Sequence, residues 1–186
     1  MTQTWFNRLE QAFNQASDIP VIWQGSPARG GAWAGQTPGL MILPGAGRLM
    51  ACQMPGVPDN LFYHNPQLAD PAQTRQLLDA GSGTPGGDRL WISPASAYRW
   101  RNLAKVRHDL PANAFTPREM DPADYHVRIH EPGRLQLVTS MTLLDERDNQ
   151  PVSLRVCREF SKIDPPAGLG DHVACMSLAI HHELTV

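Results

Sequence analysis

One stretch of sequence decides the fold expected of this chain: PGGDRLWISP, residues 85–94. Its two adjacent glycines allow a backbone turn that a side chain would obstruct, and the apolar residues after them are typical of a strand. The stretch therefore predicts a tight turn at Gly86 and Gly87, followed by a strand in which Trp91 is buried. In that interpretation Asp88 forms an ion pair with its neighbour Arg89.

A second interpretation treats the same region as a binding site, because aromatic and charged side chains are concentrated there. The residues concerned are Arg89, Trp91, Tyr98, Arg99 and Trp100. Aromatic rings cover the C–H face of a sugar, while arginine and aspartate bond its hydroxyl groups. The region is therefore also a candidate carbohydrate site, and strand alternation would place Arg89 and Trp91 on one face.

The segment GGDRLWISP, residues 86–94, resembles a signature of galactose mutarotase-like proteins, the aldose 1-epimerase superfamily, and is most similar to its uncharacterised branches. In that signature two glycines, a basic residue, an apolar residue and a tryptophan precede a small residue and a proline. The segment DNLFYHNP (59–66) and the strand pair expected at 135–144 and 152–163 fit the same comparison, which extends over roughly residues 38–186. The resemblance implies a curved, double-layered antiparallel sheet that recognises a sugar. Because mutarotase-like proteins are substantially longer, the chain resembles only their N-terminal part.

Two histidines are candidate catalytic residues. Mutarotases use a histidine as general acid and a glutamate as general base, and the resemblance implies that His64 lies near a ligand-facing strand end. The catalytic glutamate of the family belongs to its C-terminal part, which has no counterpart here. His182 is the other candidate because it lies on an otherwise apolar strand face, where a buried imidazole needs a hydrogen-bond partner. A hydrogen-bonded core histidine is the alternative for His182.

Length, charge and cysteine content narrow the classes of protein to consider. A chain of 186 residues is long enough for one domain with its own core, so a single domain over residues 1–186 is expected. The net charge of −2 argues against nucleic-acid binding, because neutralising phosphates requires a basic surplus. Three cysteines without C-x-x-C spacing indicate neither a disulfide framework nor a zinc site and suit a reducing cytoplasm. No apolar run is long enough to span a bilayer, so no membrane partner is expected.

The N-terminal half combines one clear helix with short apolar runs. Apolar residues at helical spacing over residues 4–16 predict an amphipathic helix, within residues 1–18, that packs on the domain. Runs bounded by glycine and proline predict strands at 21–23, 32–34, 40–43, 49–52 and 61–63. One or two helical turns are expected at 71–80, with a loose loop as the alternative. The polar, proline-containing residues 101–124 predict a long surface loop.

The C-terminal half predicts long antiparallel strands. A strand at 125–130 precedes a hairpin whose strands, 135–144 and 152–163, alternate apolar and polar residues. A last strand follows at 173–184, and the chain ends within its alternating pattern. An open strand edge tends to pair with another chain, so a homo-oligomer is expected. His126 and His130 would share a strand face roughly 13 Å apart, too far for one ion, so no metal site is expected.

Three functions remain open from the sequence. The first is carbohydrate recognition by a mutarotase-like β-sandwich domain, with a small-molecule sugar as partner and no cofactor. The second is a sugar epimerase or other carbohydrate-active enzyme, completed by a partner chain or by further C-terminal sequence. The third is a structural or assembly domain whose exposed sheet edge is its function.

Overall fold

The structure is a computed structural model, and it describes residues 4–16, 18–27, 29–80, 85–101, 114–170 and 173–186. These stretches form two antiparallel β-sheets of three and four strands, together with three short α-helices. The prediction of an all-β antiparallel sandwich with a short N-terminal helix is therefore confirmed. Within the same stretches, no helix is long and apolar enough to cross a membrane.

The strands of each sheet are arranged in the order in which they occur along the chain. The small sheet consists of β1 (Val21–Gln24), β2 (Gly39–Leu43) and β3 (Arg48–Gln53). The large sheet consists of β4 (His126–Glu131), β5 (Arg134–Asp145), β6 (Gln150–Ile163) and β7 (Ser177–Thr185). The α-helices are α1 (Trp5–Gln15), α2 (Pro71–Ala80) and α3 (Ala95–Tyr98), and short 3-10 helices cover Gly31–Trp33 and Pro66–Ala69.

Two strands of the small sheet, β2 and β3, are buried on both faces. Every residue of β2 is buried, and only the last residue of β3 is not. Leu40 and Ile42 pack towards the large sheet, whereas Met41 and Leu43 pack towards α1 and α2. A strand covered on both faces needs apolar side chains at every position, which explains the continuous apolar run of β2. The molecule thus has three layers, with the helices outside, the small sheet in the middle and the large sheet opposite.

The two longer helices form the layer over the small sheet, at the positions predicted from the sequence. The hydroxyl of Thr4 accepts a hydrogen bond from a first-turn amide at 3.3 Å, and α1 buries Phe6 and Phe13 beneath it. At the start of α2, the Asp70 carboxylate accepts a hydrogen bond from the Ala72 amide at 2.8 Å. Both helix predictions are confirmed.

The large sheet follows the predicted alternation of apolar and polar residues. β5 and β6 form a hairpin in which Asp145 lies opposite Gln150. The residues that face the core alternate along both strands and are buried: Leu135, Leu137, Thr139, Met141, Leu143, Leu154, Val156, Arg158 and Phe160. Cys157 departs from this alternation, because it is buried although it lies between Val156 and Arg158. This face packs against the small sheet to form the main core.

A β-bulge in β4 corrects the expectation that His126 and His130 share a face. The register of β4 against β5 shifts in the middle of the strand. His126 therefore lies opposite Val138, while His130 lies opposite Leu135, and these partners point to opposite faces of β5. An extra residue in a strand reverses the alternation beyond it, which the sequence pattern alone did not indicate.

Two short apolar runs predicted as strands adopt other structures. Residues 31–33 form a 3-10 helix, and residues 61–63 form no strand. The side chain of Asn60 accepts a hydrogen bond from the Cys52 amide at 2.9 Å and donates one to the Met50 carbonyl at 3.1 Å. Because this amide satisfies backbone groups along the edge of β3, the following residues need not pair as a strand.

The apolar residues after Gly87 also form no strand, contrary to the prediction. Residues 88–94 are irregular, and α3 follows them directly. The predicted loop at 101–124 is described at its first residue and from residue 114 onward, where it contains turns and one bridge to Trp100. Residues 102–113 of that loop lie outside the described residues.

Candidate functional site

Gly86 and Gly87 bring separate chain segments into direct backbone contact. Their φ angles are 103° and 72°, in the region that favours glycine. A Cβ on Gly86 would overlap the carbonyl oxygen of Tyr63, and a Cβ on Gly87 would lie 2.5 Å from the carbonyl oxygen of Leu49. The prediction that this pair adopts a conformation hostile to other residues is confirmed.

Asp88 fastens this turn to β3. Its amide donates to the Leu49 carbonyl at 2.9 Å, and its Oδ1 accepts from the Leu49 amide at 2.6 Å. Its Oδ2 forms an ion pair with Arg158 of β6. The predicted pairing of Asp88 with Arg89 is therefore wrong, because Arg89 pairs with Asp121 at 3.3 Å.

Two buried arginines lie at the centre of this arrangement. Arg48 in β3 is 2% exposed and Arg158 in β6 is 1% exposed. Each donates to a backbone carbonyl, Arg48 to that of Gly86 at 2.5 Å and Arg158 to that of Gly47. Each also pairs with one carboxylate, as a buried charge requires. The four charged side chains, which we call the buried ion cluster, are Arg48, Asp88, Asp121 and Arg158.

Burial changes the ionisation of groups in and beside the buried ion cluster. It lowers the pKa of Arg48 to about 10, with the charge of Arg89 acting in the same direction and that of Asp88 against it. Arg48 thus stays charged at neutral pH. Burial also raises the pKa of Tyr125, whose ring borders the cluster. The Nε of Arg158 has no hydrogen-bond partner among the described residues, and the adjoining cavity of about 10 Å³ has room for about one water.

Trp91 is the exposed aromatic side chain beside the cluster. It is 49% exposed, so its predicted burial is wrong. The physical reason is that its segment forms no strand, and the neighbouring Ile92 enters the core instead. The guanidinium carbon of Arg99 lies 3.8 Å from the centroid of the indole, and that of Arg89 lies 5.7 Å from it. We call Arg89, Trp91 and Arg99 the Trp91 platform.

Arg99 is held in place by the segment that follows residue 114. Its Nε donates to the Phe115 carbonyl at 3.2 Å, and its Nη2 donates to the Thr116 hydroxyl at 2.8 Å. Arg101 lies over the ring of Phe115, with its guanidinium carbon 4.7 Å from the ring centroid. Burial lowers the pKa of Arg99, and the nearby charge of Arg89 lowers it further. Arg89 and Arg99 are thus close enough to repel each other.

Three of the five predicted ligand-binding residues lie together, and the other two lie elsewhere. Arg89, Trp91 and Arg99 come together around one indole ring, although no strand alternation aligns them. Tyr98 is buried in the core between the sheets, at the end of α3. Trp100 is half-buried, and its backbone forms an isolated bridge with Ala114.

The two candidate catalytic histidines lie in different surroundings. The ring of His64 stacks on that of Trp5 in α1, with centroids 5.8 Å apart, and its backbone bridges Gly86. His182 lies opposite Arg158 in the neighbouring strand and is exposed, so it is not a core histidine. Partial burial lowers the pKa of His182, and the charge of Arg158 adds to this effect. Within the described stretches neither histidine is ion-paired with a carboxylate, and no acid–base pair is assembled around them.

A cleft on another part of the described surface contains none of the predicted site residues. It has a volume of about 950 Å³ and lies between β1 and the turn from β4 to β5. Trp23, His130 and Lys162 are among the residues that border it. The ammonium group of Lys162 already donates to the Gln24 carbonyl at 2.6 Å. The Trp91 platform is therefore a surface separate from this cleft.

Three members of the buried ion cluster were not predicted from the sequence to belong to a site: Arg48, Asp121 and Arg158. A signal for Arg158 was present, because it occupies an inward position in β6 between Val156 and Phe160. A buried cation at such a position requires a carboxylate partner. No pattern identified that partner, since Asp88 lies 70 residues away along the chain.

No protein-family model, curated protein or solved structure matches this chain. Its potential metal ligands are dispersed as well, since no three His, Cys, Asp or Glu side chains of the described stretches are grouped so as to hold an ion. The chemistry of the Trp91 platform is consequently the basis on which a function can be assigned.

Proposed function

We propose that the Trp91 platform recognises a carbohydrate. The observation that carries this proposal is a half-exposed indole with two guanidinium groups beside it. An exposed indole offers an apolar surface to the C–H groups of a sugar ring, while guanidinium N–H groups donate to hydroxyl oxygens at its rim. The galactose mutarotase-like signature at residues 86–94 supports the same ligand class, as a resemblance.

The platform is preorganised, because both arginines are fixed by contacts outside the indole. Arg99 is held by Phe115 and Thr116, and Arg89 is held by Asp121, which is itself paired with buried Arg48. A ligand would therefore not have to bear the entropic cost of ordering these side chains.

The expected affinity is weak. One stacking contact contributes about 0.5–1.5 kcal/mol, and one or two charge-assisted hydrogen bonds add about 1.5–3 kcal/mol each. These contributions total about 2–7.5 kcal/mol, whereas a micromolar dissociation constant needs about 8.2 kcal/mol and a millimolar one about 4.1 kcal/mol. Because the cost of association is subtracted from that total, we expect the dissociation constant to lie at the millimolar end of the micromolar-to-millimolar range, or above it. The surface is thus suited to recognising one sugar unit, or a repeated unit in a longer glycan.

Nuclear magnetic resonance of the indole N–H groups tests this proposal directly. A Trp91→Phe variant assigns the Trp91 signal, and titration of the parent protein with neutral and acidic monosaccharides should shift that signal in a saturable way. Because Trp91→Ala lacks this indole signal, binding by the variants is followed by saturation transfer to the sugar: Trp91→Ala should abolish it, whereas Tyr63→Ala should retain it because Tyr63 is an exposed aromatic outside the platform. Absence of binding by the folded parent protein to every sugar tested would refute the proposal.

Self-association through β7 is a second candidate function, and the sheet order favours it. β7 is the outermost strand of the large sheet and spans nine residues, so one of its edges pairs with no strand of the described chain. Leu184 at its end is 49% exposed. A second copy could pair with this edge and cover Leu184. Sedimentation analysis should then show a dimer that Leu184→Lys weakens, whereas a monomer over a wide concentration range would contradict this candidate.

A further inference from the structure

We infer that the ligand of the Trp91 platform is an anionic sugar, one that carries a carboxylate or a phosphate group. This inference rests on the proposed carbohydrate function and specifies its ligand class. It follows from two guanidinium groups over one indole, whose positive charge exceeds the negative charge of the carboxylates beside them. A third arginine lies on the adjoining segment.

Arg99 carries a positive charge that its hydrogen-bond partners do not neutralise. Its hydrogen-bond acceptors, the Phe115 carbonyl and the Thr116 hydroxyl, are both neutral. Among the described residues no carboxylate pairs with Arg99, although its guanidinium is partly withdrawn from water. A cation in that position gains more from a bound anion than a fully hydrated cation does.

Arg89 lies close to Arg99. Its charge lies close enough to Arg99 to lower the pKa of the latter, so the two guanidinium groups destabilise each other. The carboxylate nearest to Arg89, that of Asp121, is shared with the buried Arg48. An anion bound between Arg89 and Arg99 would relieve this repulsion, whereas a neutral sugar would not.

Positive charge extends beyond the platform. Arg101 is exposed and lies over the ring of Phe115, whose carbonyl holds Arg99. No ion pair joins Arg101 to a carboxylate within the described part of the chain. The chain as a whole has a net charge of −2, so this local excess of positive charge is opposite in sign to the net charge of the chain.

These features fit an oxyanion on a sugar better than a free anion. A guanidinium binds a carboxylate or phosphate through two parallel hydrogen bonds. The Trp91 indole lies under the Arg99 guanidinium but is still 49% exposed, and this remaining surface can receive the sugar ring. Uronic acids and sugar phosphates both meet these requirements, and their relative affinities distinguish between them.

The test compares matched ligands at constant ionic strength by following the Trp91 indole N–H signal. The ligands are glucose, glucuronate, glucose 6-phosphate, acetate and inorganic phosphate. Glucuronate or glucose 6-phosphate should bind about tenfold more tightly than glucose, which corresponds to one additional charge-assisted contact. Whichever of the two binds more tightly identifies the oxyanion. Raising the salt concentration should weaken that binding and leave glucose binding nearly unchanged.

Variants assign the preference to the platform. In Arg99→Gln, the anionic sugar and glucose should bind with dissociation constants within about twofold of each other. The tenfold preference is lost because the substitution removes the charge that lacks a carboxylate partner. Arg128→Gln, an exposed arginine in β4, is the matched control and should keep the tenfold ratio. If Arg99→Gln is poorly folded, the ligand comparison on the parent protein still decides the inference.

Each outcome has a distinct meaning. Equal affinity for glucose and for both anionic sugars would overturn this inference while leaving the carbohydrate proposal intact. Acetate or inorganic phosphate binding as tightly as the anionic sugars would show that the ring contributes nothing, and would overturn the carbohydrate proposal as well. Absence of binding by every ligand would overturn both.

Discussion

Replacing Asp88 by asparagine isolates the role of the buried ion cluster. The carboxylate of Asp88 accepts a hydrogen bond from the Leu49 amide at 2.6 Å and pairs with Arg158. Asp88→Asn preserves the shape of the side chain and one oxygen for the Leu49 amide. It removes the negative charge and turns an NH₂ group towards the guanidinium.

The expected loss follows from the burial of Arg158, which is 1% exposed. Removing one partner of a buried ion pair costs about 3–5 kcal/mol, because the remaining charge is left uncompensated. The Asp88 side chain is 21% exposed, so water can reach the vacated position and the lower end, about 3 kcal/mol, applies. A domain with a free energy of unfolding of about 5–15 kcal/mol would remain folded and measurable.

Urea denaturation followed by circular dichroism measures this loss, and a double-mutant cycle with Arg158→Met assigns it. In the Arg158→Met background, Asp88→Asn should cost only about 1 kcal/mol, the value of one weakened hydrogen bond. The coupling free energy is then about 2 kcal/mol. Asp59→Asn, at an exposed site, is the control and should change stability by less than about 0.5 kcal/mol. An equal cost of Asp88→Asn in both backgrounds would refute the assigned pairing.

Two further predictions concern the glycine turn and His182. Gly87→Ala should lower the free energy of unfolding by about 2 kcal/mol or more, because its positive φ alone costs about 1–2 kcal/mol and its Cβ would lie 2.5 Å from the Leu49 carbonyl oxygen. Gly35→Ala combines a positive φ with open space and should cost about 1 kcal/mol. Equal losses in urea titrations would contradict the close-approach argument. The lowered pKa of His182 means that the folded state binds its proton less readily, so stability falls as pH drops from the unfolded value of 6.5 through the folded pKa. His182→Asn should reduce this fall in thermal melts, and identical pH profiles would contradict the assignment.

Much of the fold could be predicted because local pattern and tertiary environment agree. The alternation in β5 and β6 specified which residues face the core, and the apolar spacing of residues 5–15 specified the buried face of α1. The continuous apolar run of β2 corresponds to a strand covered on both sides. In these elements the position of a residue in the helical or strand repeat determines whether its side chain is buried.

Other features depend on contacts between distant segments and could not be predicted from a local pattern. The side chain of Asn60 bonds to the edge of β3, and the Leu61 amide adds one bond to the Cys52 carbonyl at 3.3 Å, but residues 61–63 form no strand. Trp91 lies in a motif that looks like the start of a strand, but the segment is held by Asp88 and turns the indole outward. The sequence predicted that Arg89, Trp91 and Arg99 belong to one site. They come together because the segment is irregular, and not because a strand aligns them.

The buried ion cluster also has a consequence for the rate at which the native state is lost. Arg158 and Gly47 are 111 residues apart, and Arg48 and Asp121 are 73 apart, whereas the β5–β6 hairpin joins neighbours in sequence. Because the entropic cost of closing a long loop is met before its contacts form, we expect the hairpin to form early and the cluster to close late. Substitutions in the cluster should then accelerate unfolding and leave the folding rate nearly unchanged. The cluster thereby sets the lifetime of the folded molecule, a kinetic property that equilibrium denaturation does not report.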